Sequence, residues 1–208
     1  MFKDRIDAGI QLAHKLLPYK DKEVVVLAIP RGGLPIGVIV AKTLQAPLDV
    51  ALSKKIGHPF NREYAIGAVS LENIILKDVS GVHKSYIAEE TERIREKLKK
   101  RYQQYHQSRQ PEDLKDKVVI IIDDGIATGN TIRVTAELVN AQKPDRVIVA
   151  IPVAPGSSIN ALKDSPYIDE VICLYTPYDF MAVGQFYEVF DQVSDEEAIK
   201  LLKEFNQA

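Results

Sequence analysis

The chain has 208 residues, 46% hydrophobic and 27% charged, which is enough to bury the core of one sizeable α/β domain. A formal net charge of -2 and a pI near 6.1 leave no basic footprint, so nucleic acid is excluded as a main partner. The single cysteine, Cys173, excludes an internal disulfide and suits a reducing compartment, where a small buried thiol in "EVICLY" is ordinary.

From the N-terminus, residues 5–17 carry Ile6, Ile10, Ala13 and Leu17 at helical spacing, which predicts an amphipathic helix with that stripe on the core. Charges interrupt "MFKDRIDAGIQLAHKLL" throughout, unlike a signal peptide, and no segment approaches the roughly 20 apolar residues of a membrane span. A cytoplasmic protein without a membrane partner is expected. "EVVVLAI", 23–29, then reads as a strand running into "PRGG", with "LPIGVIVAKTLQA" as the following helix.

"PLDVALSKKI", 47–56, reads as one second strand. The next stretch, "GHPFNREY", has turn formers and little to bury, so residues 57–64 are expected to be a mobile loop before an antiparallel hairpin in "AIGAVSLENIIL". Residues 84–107 predict a long, highly charged helix docked by Ile87, Thr91, Ile94, Leu98 and Tyr105. Glu89–Arg93 and Glu96–Lys100 stand in favourable i,i+4 order, and the stripe is too short for a dimer coil to be preferred.

"VVIIIDDGIATGNTI", 118–132, places five branched aliphatics before two carboxylates and a small-residue loop. The run suits a strand buried on both faces, and a helix follows from about Thr131 to Ala141. A strand in "RVIVAIPVA", a short helix near 157–163 and a strand in "EVICLY" complete an alternation that implies right-handed crossovers and a mostly parallel central sheet flanked by helices.

Ligands of open parallel sheets bind outside the strands' carboxyl ends, where Asp123 and Asp124 stand. The loop behind them leads into a helix, so its N–H groups and the Thr128 and Thr131 hydroxyls make an anion cradle. Gly129 is followed by Asn130 rather than Lys, which excludes a nucleotide triphosphate P-loop. Two carboxylate acceptors beside one phosphate site match ribose 5-phosphate, with its vicinal hydroxyls on the acids.

Ile120–Thr131, "IIIDDGIATGNT", resembles the phosphoribosyl pyrophosphate (PRPP) signature of type I phosphoribosyltransferases. "AIPRGGLPIG" is similar to the family's pyrophosphate loop, which often contains a non-proline cis peptide, and "SKKIGHPFNREYAIGAV" to its flexible hairpin. The resemblance spans about residues 24–190 and is closest to bacterial members of unassigned acceptor. It implies the type I phosphoribosyltransferase fold as a single domain over 1–208, with a small hood at 174–190.

It also implies transfer of ribose 5-phosphate from PRPP to a nitrogenous base, with release of pyrophosphate. PRPP would be held by Asp123, Asp124, Gly125, Ile126, Ala127, Thr128, Gly129, Asn130 and Thr131. Pyrophosphate would be held by Arg31, Gly32, Gly33, Lys54 and Lys55, the two glycines permitting unusual backbone angles. Asp124, Lys55 and Arg31 are the implied catalytic residues, and Mg2+ would meet Asp123 and Asp124 through water or the ribose hydroxyls.

Tyr178, Phe180 and Val183 are candidates for holding the base, which the resemblance makes purine-like. The spacing from Phe180 to Val183 is one residue longer than in the hypoxanthine enzymes, and "IPVAP" lacks their lysine. His58 is the histidine that falls in the mobile loop. A homodimer is compatible with the pattern. Two further readings stay open: a non-catalytic PRPP sensor, and a sugar-phosphate hydrolase or isomerase. No helix-turn-helix or basic run supports a regulator, and no further acid–base residue stands beside the two acids.

Overall fold

The computed structural model describes residues 1–77, 79–106 and 110–207. Five parallel strands form the central sheet: β1 (Val24–Ala28), β2 (Leu48–Val50), β6 (Val118–Ile122), β7 (Arg146–Val153) and β8 (Glu170–Tyr175), in the order β2-β1-β6-β7-β8. Helices α1 (Arg5–Leu16), α2 (Gly33–Leu44), α4 (Asn130–Asn140), α5 (Gly156–Lys163) and α6 (Asp195–Gln207) flank it; all but α6 are expected from the sequence. The aliphatic runs are continuous because alternate residues feed opposite cores. Val24, Val26, Ile120 and Ile122 face α1, α2 and α6, whereas Val25, Leu27, Val119 and Ile121 face α4 and α5. Cys173 on β8 is half-buried rather than fully buried.

Helix α1 forms as expected, but on a different face. Ala8, Leu12, Ala13 and Leu16 are buried, while Ile6, Ile10 and Leu17 are 50%, 47% and 45% exposed. Small residues win the inner face because α1 lies close on α2: a Cβ at Gly9 would stand 3.3 Å from the Ile36 Cα. Asp4 caps the helix, accepting from the Asp7 N–H at 2.8 Å.

The single strand expected over 47–56 is two. β2 ends at Val50, and the chain crosses residues 51–53 into β3 (Lys54–His58), which joins β4 (Asn61–Val69) and β5 (Ile74–Leu76) in a separate antiparallel sheet. The stretch 57–64 is likewise not a loop. It forms the two arms of the β3–β4 hairpin, turning at Pro59 and Phe60, with a register shift at Gly57.

Helix α3 (Lys84–His106) docks through Thr91, Ile94, Leu98, Tyr102 and Tyr105; residue 107, included in the expected helix, lies outside the described residues. Arg93 pairs with Glu90, one turn away at i,i+3, instead of Glu89. Tyr105 and Arg101 reach Asp195 at the start of α6, at 3.3 and 3.4 Å. No described helix is long and apolar enough to cross a membrane.

Candidate functional site

The strand order reverses between β1 and β6, so the loops leaving their carboxyl ends lie side by side at the sheet's switch point. The Ile29 N–H donates to the Ile122 carbonyl at 2.8 Å, which extends the parallel pairing to the last residue before the acids. The 30–33 turn then presses on the 123–124 backbone. A Cβ on Gly33 would stand 2.6 Å from the Ile122 carbonyl oxygen, and one on Gly32 would stand 2.5 Å from the Asp124 Cγ. Gly32 has an ordinary right-handed helical backbone, with φ −62° and ψ −32°. The expectation that it permits unusual angles is therefore corrected: close approach to a carboxylate is what demands glycine here. The Pro30–Arg31 bond is cis, as the resemblance led one to expect.

Behind the acids, Gly125 (φ +150°) and Gly129 (φ +71°) adopt conformations that side chains disfavour. Ile126 and Gly129 turn inward, while Ala127, Thr128, Asn130 and Thr131 are exposed around the start of α4. The Ile126 N–H donates to the Val153 carbonyl at 3.0 Å, and the Ser158 hydroxyl to the Ala127 carbonyl at 2.6 Å, so β7 and α5 brace the loop. Helix α4 begins without a side-chain cap, leaving its first N–H groups for an anion or water.

Asp124 is the hub of the site. Its backbone N–H donates to Asp123 Oδ1 at 2.9 Å, and its carbonyl accepts the Tyr187 hydroxyl at 2.6 Å. Its Oδ2 accepts Nε and Nη2 of Arg5 at 2.9 and 2.8 Å, the two side chains being only 12% and 14% exposed. Arg5 also donates to the Asp191 carbonyl at 2.7 Å, and its guanidinium lies 3.9 Å over the Phe190 ring. Burial, reinforced by the Asp124 charge, holds Asp123 well above the usual carboxylate range. Burial, then Asp124, likewise raises the Tyr187 phenol, so it stays a protonated donor.

A cleft of about 420 Å³ opens over this hub, lined by Arg5, Arg31, Gly32, Asp124, Val183, Phe190, Gln192 and Val193. Of the expected site residues, Arg31, Gly32, Asp124 and Val183 line the cleft, with Gly33, Asp123 and the 125–131 loop immediately behind them. Lys54 and Lys55 do not; both are exposed on β3, opposite Val69 and Ala68. Tyr178 is fully exposed, and Phe180 stacks on Phe186 with centroids 5.5 Å apart, so neither aromatic lines the cleft. His58 stands in an aromatic group with Phe60 and Tyr64 at the hairpin tip.

Sequence reasoning missed Arg5, Tyr187 as a hydrogen-bond donor, and Phe190. Arg5 lies 119 residues from Asp124 and resembles any other charge on an N-terminal helix. No local signal marks it, because its place depends on how the N-terminal segment joins residues 187–189. Phe2 bridges Tyr187, and the Glu188 and Val189 N–H groups each donate at 2.9 Å to Phe2 and Lys3, stitching the N-terminal segment into the hood.

Comparison with known proteins agrees with this architecture. The Phosphoribosyl transferase domain model matches residues 2–180. A Mycobacterium tuberculosis H37Rv protein provisionally named a phosphoribosyl transferase is 40% identical over 207 residues. That match covers 97% of this chain and 46% of the relative, so the chain spans about half the length of the curated relatives it matches. The crystal structure of TT1426 from Thermus thermophilus superposes with a TM-score of 0.86 at 38% identity, over 98% of both chains. A Neisseria gonorrhoeae protein of 16% identity shares the fold, with a TM-score of 0.54 over 98% of both chains. With the family model matching residues 2–180 and a relative 40% identical over 97% of the chain, the chain belongs to the phosphoribosyl transferase domain family.

Proposed function

We propose that the protein transfers ribose 5-phosphate from PRPP to a nitrogenous base and releases pyrophosphate. The observation that carries this reading is one juxtaposition: the 30–33 turn packs directly on Asp124, and the uncapped start of α4 at Asn130 follows six residues later. Those three features suit the three parts of PRPP. The 5-phosphate takes the N–H groups and hydroxyls of 125–131. The vicinal ribose hydroxyls donate to Asp123 and Asp124, and the pyrophosphate lies toward Arg31, which makes no ion pair among the described residues.

In the reaction, the bond from ribose C1 to the pyrophosphate oxygen breaks with its electron pair on the oxygen. The lone pair of the acceptor nitrogen forms the new C1–N bond, and that nitrogen releases its proton to solvent. The transition state resembles an oxocarbenium ion, so carboxylates beside the ribose and cations on the leaving group lower the barrier by position and charge. Val183, Phe190 and Val193 supply an apolar wall for a flat heterocycle, and Gln192 a polar edge; a purine is the first acceptor to try.

The acids fit a magnesium ion that arrives on the substrate and not one caged by protein. Among the described residues no group of three His, Cys, Asp or Glu side chains converges on a metal site, and Arg5 already occupies Oδ2 of Asp124. Bound on the pyrophosphate, magnesium would neutralise the leaving group, with Asp123 and Asp124 reaching it through water or the ribose hydroxyls. The test is a screen of purine, pyrimidine and pyridine bases for PRPP-dependent pyrophosphate release. Release with one base class is the expected result. PRPP binding without release for any base would turn the reading to a sensor, and absence of binding would end it.

A further inference from the structure

Building on that transferase reading, we propose that Arg5 is a positioning residue. It engages one oxygen of Asp124 and thereby presents the other to the ribose, which makes the N-terminal segment part of the active site. The hydrogen-bond pattern is specific. Both Arg5 donors converge on Oδ2 instead of bridging the two oxygens, so Oδ1 takes no hydrogen bond from Arg5. The missing side chain at Gly32 keeps the carboxylate as a whole clear of the 30–33 turn, since an added Cβ would sit 2.1 Å from Oδ2 and 3.0 Å from Oδ1. Two carboxylate oxygens thus have two separate tasks.

Arg5 can do this because it is itself fixed. The guanidinium carbon lies 3.9 Å from the centre of the Phe190 ring, the Asp191 carbonyl takes Nη1, and the backbone is held by the Asp4 cap and by the pairing of residues 2 and 3 with the hood. A planar fork with three separate anchors is preorganised, as a flexible ammonium would not be. The same side chain joins the hood segment, which faces the acceptor, to the acid that faces the sugar. Its sequence position gives no hint of this, because the contact spans 119 residues.

The alternative is that Arg5 competes with substrate for Asp124 and must leave when PRPP binds. Titration calorimetry separates the two, with ribose 5-phosphate and magnesium pyrophosphate as independent probes on wild type, Arg5→Lys and Arg5→Ala. On the reading above magnesium pyrophosphate lies toward Arg31 and meets Asp124 only through a magnesium-bound water, so a loss shared equally by both probes reports general loosening of the site. Positioning predicts ribose 5-phosphate binding weakened about tenfold to a hundredfold in Arg5→Ala, the worth of a lost charge-assisted contact, and less in Arg5→Lys, with pyrophosphate affinity within about twofold of wild type. Should Arg5→Ala fail to fold, Arg5→Lys carries the comparison. Unchanged or tighter ribose 5-phosphate binding overturns the proposal and favours competition, and equal losses for both probes overturn it in favour of a purely structural ion pair. A wild type that binds neither probe removes the transferase reading and the proposal with it.

Discussion

At the scale of single residues, the two adjacent acids differ. Asp124 has Arg5 against it, whereas Asp123 is half-buried with a like charge beside it, and desolvation followed by that charge raises its pKa. A carboxyl whose folded pKa lies above its unfolded value binds more protons folded than unfolded between the two, so stability falls as pH rises through that window. Asp123 therefore destabilises the folded chain at neutral pH. Asp123→Asn should raise Tm at pH 7.5, by about 2–4 °C for each kcal/mol relieved, with the gain shrinking toward pH 4. Thermal scans at both pH values check this, and a variant no more stable than wild type at pH 7.5 would contradict it. The sequence marked both acids from their place at a strand end, but their division of labour depends on Arg5, which no local pattern reveals. The glycines show a related limit: "GG" announced a special backbone at 32–33, yet at Gly32 the demand comes from a carboxylate 92 positions further along the chain.

At the scale of elements, the hairpin is where sequence and structure part most. Turn formers at 57–64 suggested a loop, but pairing with β4 continues to His58↔Asn61, which polar residues satisfy through backbone groups alone. The chain crosses from one sheet to another at Ala51–Ser53 with no Gly or Pro to mark it, because tertiary context and not turn chemistry ends β2. The hairpin is anchored by the Tyr86 hydroxyl on the Gly57 carbonyl at 2.8 Å, and the far edge of its sheet, just after β5, by the 2.8 Å Lys77–Glu137 pair. Lys54 and Lys55 stand outside the cleft lining, so any contact with pyrophosphate requires the hairpin to move. An interaction made only after such closure belongs to the transition state more than to the ground state. Lys55→Ala is expected to lower kcat at least tenfold while PRPP affinity changes less than threefold. Steady-state kinetics with a found acceptor, set beside direct binding, decides it, and equal losses would mean that the lysine only helps binding.

At the scale of the molecule, the sheet was readable because its strands are buried on both faces and its helices alternate with them. What stayed hidden was the closure of the site by both ends of the chain, where Phe2, Arg5, Tyr187 and Phe190 meet. The exposed face of α1 was misassigned for a similar reason: Ile6 and Ile10 are larger than Ala8 and Gly9, but the close approach of α2 at Gly9 turns the face carrying Ala8, Gly9, Leu12 and Leu16 inward. The fold thus delivers one cleft at the switch point, which on the reading proposed above binds PRPP through the acids and the phosphate loop. Titration calorimetry of PRPP with magnesium on wild type, Asp124→Asn and Gly129→Val puts that binding to the test. Asn keeps the shape and one oxygen, so it removes charge at the ribose, whereas Val at a φ of +71° strains the phosphate loop. Measurable wild-type binding is expected, weakened by about 1.5–3 kcal/mol in Asp124→Asn and by at least as much in Gly129→Val. Wild-type affinity retained in both variants would contradict it.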